Sequence, residues 1–132
     1  MTDLAAPTFN KRERIVSQKL IEQLFSKGNS RSIVAFPLRI VYMERPRTEG
    51  EMPVQVLVSV SKRHFKHAVK RNRVKRQIRE AYRHHKQRLT EELQQQDKAL
   101  AIAFIWLADK LFESQQVERN VSRLLAKVAE SV

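Results

Sequence analysis

Apolar residues recur along the chain with two different periods. Leu20, Ile21, Leu24 and Phe25 fall at i, i+1, i+4 and i+5, one face of a helix over residues 18–27. Ser17 can cap its start, and Gly28 stands where a helix stops. Residues 33–42 are rich in β-branched and aromatic side chains and read as strand; Pro37 marks an edge or an interruption. Residues 44–52, with Pro46 and Gly50, read as a hairpin loop. Val54, Val56, Val58 and Val60 then alternate with Gln55, Leu57 and Ser59, the period of a strand. A long helix is predicted from about His67 to about Gln95. Residues 99–107 are almost continuously apolar, as in a strand buried on both faces. Ser114 can cap a last helix bearing Val117, Val121, Leu124, Leu125 and Val128. The order α-β-β-β-α-β-α reads as one α+β domain over residues 9–132, preceded by a flexible N-terminal tail at 1–8.

Composition narrows the class. At 132 residues the chain suits one domain, and a fold of this size buries roughly two-thirds of its unfolded surface. It has no cysteine, which removes disulfides and thiolate metal sites and fits a reducing compartment. No stretch approaches the ~20 apolar residues of a membrane span. The N-terminus places its charge after its mildly apolar part, the reverse of a signal peptide. The expectation is a soluble, cytoplasmic protein without a membrane partner.

Charge changes the picture most. Lys and Arg number 26 against 14 Asp and Glu, a net charge of +12. Such a field draws polyanions, nucleic acid first. An anionic membrane would call for a helix with a bulky apolar face open to lipid. The charge is also concentrated. From Lys62 to Arg88, 27 residues hold 12 of the cations, all four histidines and a single acid, Glu80. Wound at about 100° per residue, Val74, Ile78, Ala81, Tyr82, His85 and Leu89 form one stripe. Asn72, Arg76, Arg79 and Arg83 form the opposite one, flanked by Arg73 and Lys75. A merely solvated face would mix signs, because like charges at i,i+4 repel; this one does not. Guanidinium groups in a row match phosphate oxygens in bidentate geometry. His64-x-x-His67 and His84-His85 raise the thought of a nuclease or a zinc site, but no cysteine or nearby acid cluster completes either. A histidine among arginines is more often a further RNA contact or a solvated side chain.

At Ser59–Arg83 the sequence resembles the signature of the bacterial ribonuclease P protein family. The matching residues are Ser59-Val60-Ser61-Lys62, Ala68-Val69, Arg71-Asn72-Arg73, Lys75-Arg76 and Arg79-Glu80. Phe9, Lys11 and Arg14-Ile15 resemble the start of the family's domain, and Phe25 and Gly28 the end of its first helix. The glycine usual between the lysine and the Ala-Val pair is replaced here by Arg63–His67, with one extra residue.

The resemblance implies a mixed four-stranded sheet with helices packed on it and a left-handed βαβ crossover, a rare exception to the right-handed rule. It implies a protein subunit that does not itself cleave. A partner RNA holds magnesium ions and hydrolyses the bond that frees the 5′ leader of precursor tRNA. Neither a protein-bound cofactor or metal nor an obligate protein partner is expected. The contacts to the RNA subunit would be Lys62, Arg63, Lys70, Arg71, Asn72, Arg73, Lys75, Arg76, Arg79 and Arg83. The leader would lie between the first helix and the sheet, its bases stacked on Phe9, Phe25, Phe36 and Tyr42; Trp106 is a weaker candidate. The alternative is a ribosomal or other structural RNA-binding protein. Such proteins usually add a disordered basic tail, which neither end of this sequence supplies.

Overall fold

The computed structural model describes residues 11–15, 17–26, 28 and 30–132; Phe9 and the tail over residues 1–8 lie outside these. After a 3-10 turn at Lys11–Glu13 come α1 (Gln18–Leu24), β1 (Arg31–Ala35), β2 (Leu38–Pro46) and β3 (Val54–Ser59). Then follow α2 (Ala68–His85), α3 (Gln87–Gln96), β4 (Lys98–Trp106) and α4 (Ser114–Ser131). The strands form one mixed sheet in the order β1-β2-β4-β3, with β3 and β4 parallel and the other pairs antiparallel.

β4 runs down the middle of the sheet, and its two faces carry side chains of different size. Leu100, Ile102, Phe104 and Trp106 point into the main core. They meet Leu38, Ile40 and Tyr42 of β2, Val54, Val56 and Val58 of β3, and the apolar stripes of α2, α3 and α4. Ala101 and Ala103 point the other way, into a smaller cluster with Val41, Ile15 and the α1 residues Leu20 and Leu24. Methyl side chains at these two positions let α1 lie close against the strand. Burial on both faces is what the unbroken apolar run predicts.

Local differences from the sequence reading have identifiable causes. The stretch 33–42 is a hairpin, turned at Phe36-Pro37, with Ala35 opposite Leu38. The Pro37 signal marks an interruption. β2 continues into the expected loop as far as Pro46, because Glu44, Arg45 and Pro46 pair with Leu100, Ala99 and Lys98. α1 starts as expected, with the Ser17 hydroxyl accepting from the Leu20 N–H at 3.2 Å, and its C-cap is Phe25. The long basic helix divides at Lys86 into α2 and α3, so the order is α-β-β-β-α-α-β-α. Asp97, in the left-handed conformation at φ 55°, turns α3 into β4. At α4 the N-cap is Glu113, not Ser114; the Ser114 hydroxyl accepts instead from the Gln77 amide of α2 at 3.1 Å.

The unequal faces of β4 predict opposite failures. Ile102→Ala empties the large-residue side and should cost about 2–5 kcal/mol. Ala103→Leu overfills the side under α1 and should cost about 1–3 kcal/mol. Urea unfolding measures both, and a neutral Ala103→Leu would contradict the close packing of α1.

Candidate nucleic-acid interface

α2 is amphipathic because its apolar residues follow the helical period. Val74, Ile78, Ala81 and Tyr82 are buried, and the Tyr82 ring meets Phe104 edge-on with centroids 6.1 Å apart. The opposite side is left to the cations. Asn72 and Arg76 are exposed, Arg79 and Arg83 partly so. Together with Glu80 and Arg14 they line a hollow of about 460 Å³. Glu80 is held by Arg83 at this rim, and that hydrogen bond draws its carboxyl below the ordinary range. Partial burial, then the neighbouring charge of Arg14, depresses Arg79 from its ordinary value. Its guanidinium remains cationic at neutral pH, since arginine starts so high. Cations gathered around one concavity at the expense of mutual repulsion make an anion site.

Arg14 reaches this hollow because the segment before α1 is fastened to the domain. The Ile15 N–H donates to the Val56 carbonyl at 3.0 Å, so Arg14 bridges to Val56 along the outer edge of β3. The Arg12 guanidinium donates to the Gly50 carbonyl. Glu13 is only 2% exposed, and Lys86 donates to its carboxylate at 2.7 Å. The same Lys86 Nζ lies 5.9 Å from the centre of the Tyr82 ring. Burial, with a smaller contribution from the Glu13 charge, pushes the Tyr82 phenol well above its ordinary range, so it stays neutral. The sequence marks Arg14 only as part of the motif at the start of the domain, not as an RNA contact: the parallel bridge to β3 that brings it beside α2 leaves no periodic signal.

The other predicted RNA contacts divide by exposure. Lys62, Arg63, Lys70 and Arg73 are exposed and Lys75 partly so, from the loop after β3 onto α2. Arg71 turns back: its guanidinium donates to the Phe65 and Lys66 carbonyls, both at 2.8 Å. It braces the loop between β3 and α2. Phe65 is buried there, and the Ser61 hydroxyl and carbonyl accept from the N–H groups of Arg63 and His64.

Among the described residues, the predicted leader residues are not brought together. Phe9 lies outside the described residues. Phe25, 48% exposed, ends α1. Phe36, 60% exposed, sits at the hairpin turn with its ring 6.2 Å from Phe112, and its carbonyl accepts from Asn120 of α4. Tyr42 requires correction: it is 5% exposed, shares the core face with Leu38 and Ile40, and its hydroxyl hydrogen-bonds Ser131 of α4 at 2.9 Å. It is on the side of the sheet away from α1. Trp106 is likewise core, against Phe112 at 5.6 Å. The α1 side instead presents the cross-strand row Val34–Arg39–Ile105–Ser59. Val34, Arg39 and Ser59 are exposed, beyond the patch of Val41, Ala101 and Ala103 that α1 covers. Strand parity could have found Arg39, since it alternates with Leu38 and Ile40.

Three of the histidines engage carboxylates. His64 Nδ1 lies 2.6 Å from Asp109. His84 and His85 both reach Glu118 of α4, at 2.7 and 3.2 Å. Among the described residues no group of three or more histidine, aspartate or glutamate side chains is placed to hold a metal ion.

The chain is similar to known proteins in sequence and in fold. The Ribonuclease P family profile matches residues 9–129. A ribonuclease P protein component from Porphyromonas gingivalis is 40% identical over 129 residues, covering 96% of this chain and 91% of its own. One from Chlorobium phaeobacteroides is 39% identical over 92 residues, covering 67% of this chain and 61% of its own. In fold, the chain resembles the Staphylococcus aureus RNase P protein with a TM-score of 0.65 at 21% identity, covering 88% of this chain and 94% of that one.

The crowded guanidinium groups predict an anion effect. Sulfate should raise the melting temperature above that in chloride of equal ionic strength, because bound anion stabilises only the folded hollow. Arg14→Gln combined with Arg79→Gln should shrink the rise. Thermal melts followed by circular dichroism check this; equal melts in the two salts would contradict it.

Proposed function

The chain belongs to the ribonuclease P protein family and is a protein component of that tRNA-processing endoribonuclease; on that premise we propose how it serves the enzyme. Its α2 flank docks on the RNA subunit, its sheet holds the 5′ leader of precursor tRNA, and the RNA carries out the hydrolysis in the cytoplasm. The observation that carries this reading is the hollow where Arg14, Arg76, Arg79 and Arg83 converge with Asn72. Its donors suit successive phosphate oxygens. Lys62, Arg63, Lys70, Arg73 and Lys75 extend the same charge toward the loop after β3, while Arg71 acts mainly by bracing that loop.

The leader crosses the face of the sheet beside α1. Val34 and Ile105 offer apolar surface for unstacked bases, Arg39 a cation for the backbone, and Phe25 an aromatic edge at the end of α1. Phe36, turned toward Phe112 and α4, and the buried Tyr42 leave this path. The protein supplies no acid or base to the reaction. Magnesium would be held by the RNA subunit and would supply the activation of the attacking water there. By neutralising phosphates that otherwise repel one another, the protein lowers the divalent-ion concentration the assembly needs.

Two variants separate the two surfaces. Arg73→Ala, Arg76→Ala and Arg79→Ala together should weaken binding to the ribonuclease P RNA and lower its salt dependence by about one slope unit per lost phosphate contact. Folding should survive, because these side chains face away from the core. Arg39→Gln should leave RNA-subunit binding intact but weaken capture of precursor tRNA with a leader, relative to leaderless tRNA, by roughly tenfold to a hundredfold, the worth of one charge-assisted hydrogen bond. Filter-binding titrations across a salt series measure both. Normal RNA binding by the triple variant would remove α2 as the docking face.

A further inference from the structure

A second cationic surface lies on the other side of α2, where that helix and α3 meet α4. Two adjoining hollows of about 580 and 190 Å³ share His85 and Ser122 and form one groove. Leu89, Leu125 and Ala126 contribute an apolar floor, and Arg88, Arg119 and Arg123 stand on the rims. Along α4 the row continues to Lys127, each step of four residues advancing ~6 Å. All four of these cations are exposed. Among the described residues, no ion pair engages Arg88, Arg119, Arg123 or Lys127. Arg119 donates only to the neutral Gln116 amide, at 2.9 Å. The one acid lining the groove, Glu118, is held at 2.7 Å by His84 and at 3.2 Å by His85.

We infer that this α2/α3–α4 groove is a second docking surface for phosphodiester backbone, taking a different segment of the ribonuclease P RNA from the one bound on the Arg14–Arg76–Arg79 flank. The inference rests on the proposed docking of α2. Charge complementarity selects the occupant: a regular row of cations above an apolar floor suits a chain with one phosphate per residue and flat bases between. Scattered carboxylates on a protein surface would satisfy fewer members of such a row. With cations on both flanks, α2 becomes a wedge between two RNA strands that would otherwise repel each other. The last helix, which the sequence marks only by its apolar stripe, thereby gains a role.

The test uses the full chain and the ribonuclease P RNA. Arg119→Gln with Arg123→Gln should reduce the slope of log affinity against log salt by about one to two units, as each phosphate contact accounts for roughly 0.7–0.9 of a unit. Arg76→Gln with Arg79→Gln serves as the comparison on the other flank. The chain has no cysteine, so Gln115→Cys gives a unique attachment point at the groove for an iron–EDTA cleavage probe. Cuts in the ribonuclease P RNA from this position support the inference even if the arginine pair destabilises the fold. An unchanged slope in a folded α4 variant, no cuts, or cuts confined to precursor tRNA overturns it. If the α2 pair also leaves binding unchanged, or the wild-type chain fails to bind the RNA, the proposed docking of α2 falls as well; an effect of the α2 pair alone removes only the second surface.

Discussion

The structure depends on the burial of β4 on both of its faces. A strand with water on neither side must find apolar partners twice, and β4 does so with two grades of side chain. The large residues take α2, α3 and α4 on one face; Ala101 and Ala103 take α1 on the other. This division decides which surfaces remain for function. α2, packed through Val74, Ile78 and Tyr82, must turn Arg76, Arg79 and Arg83 outward. α1, covering only part of its face, leaves the Val34–Arg39–Ile105–Ser59 row open.

Electrostatics then assembles what packing exposes. A buried carboxylate left without a partner is strongly destabilising, and Lys86 at the α2/α3 junction is the partner of Glu13. That contact and the Ile15–Val56 hydrogen bond carry Arg14 across β3 to the arginines of α2. The domain accepts this crowding of cations, with Arg79 depressed first by its partial burial and then by the charge of Arg14, and a bound anion would relieve it. Stability and binding are thus linked through the same few guanidinium groups. On the other flank, Glu118 is hydrogen-bonded by His84 and His85 while Arg88, Arg119, Arg123 and Lys127 stand exposed, so both sides of α2 carry an excess of cations.

Much of this is legible in the residues alone. The period of α2 separates its buried stripe from its cations, and the unbroken apolarity of 99–107 identifies the central strand. The Ser59–Arg83 motif names the family that the comparisons then show. What sequence could not reveal is set by contacts between distant segments. Nothing in the period of α2 announces that Lys86 is drawn to Glu13, or that the helix divides there. Tyr42 reads equally well as stacking platform or core residue, because parity says which residues share a face but not which helix covers it. The sequence puts Arg14 in the motif at the start of the domain, and parity sets Arg39 opposite the core face, but only the sheet order places one beside α2 and the other beside α1.

The central claim is that this protein serves the enzyme by binding while its RNA partner does the chemistry. The most direct test is single-turnover release of the leader from 5′-labelled precursor tRNA at low magnesium, with protein alone, RNA alone and the two together. The account predicts an inert protein, a slow RNA and a fast mixture, with the acceleration lost on removing the α2 arginines. Cleavage by the protein alone, or RNA binding with no acceleration, would contradict it.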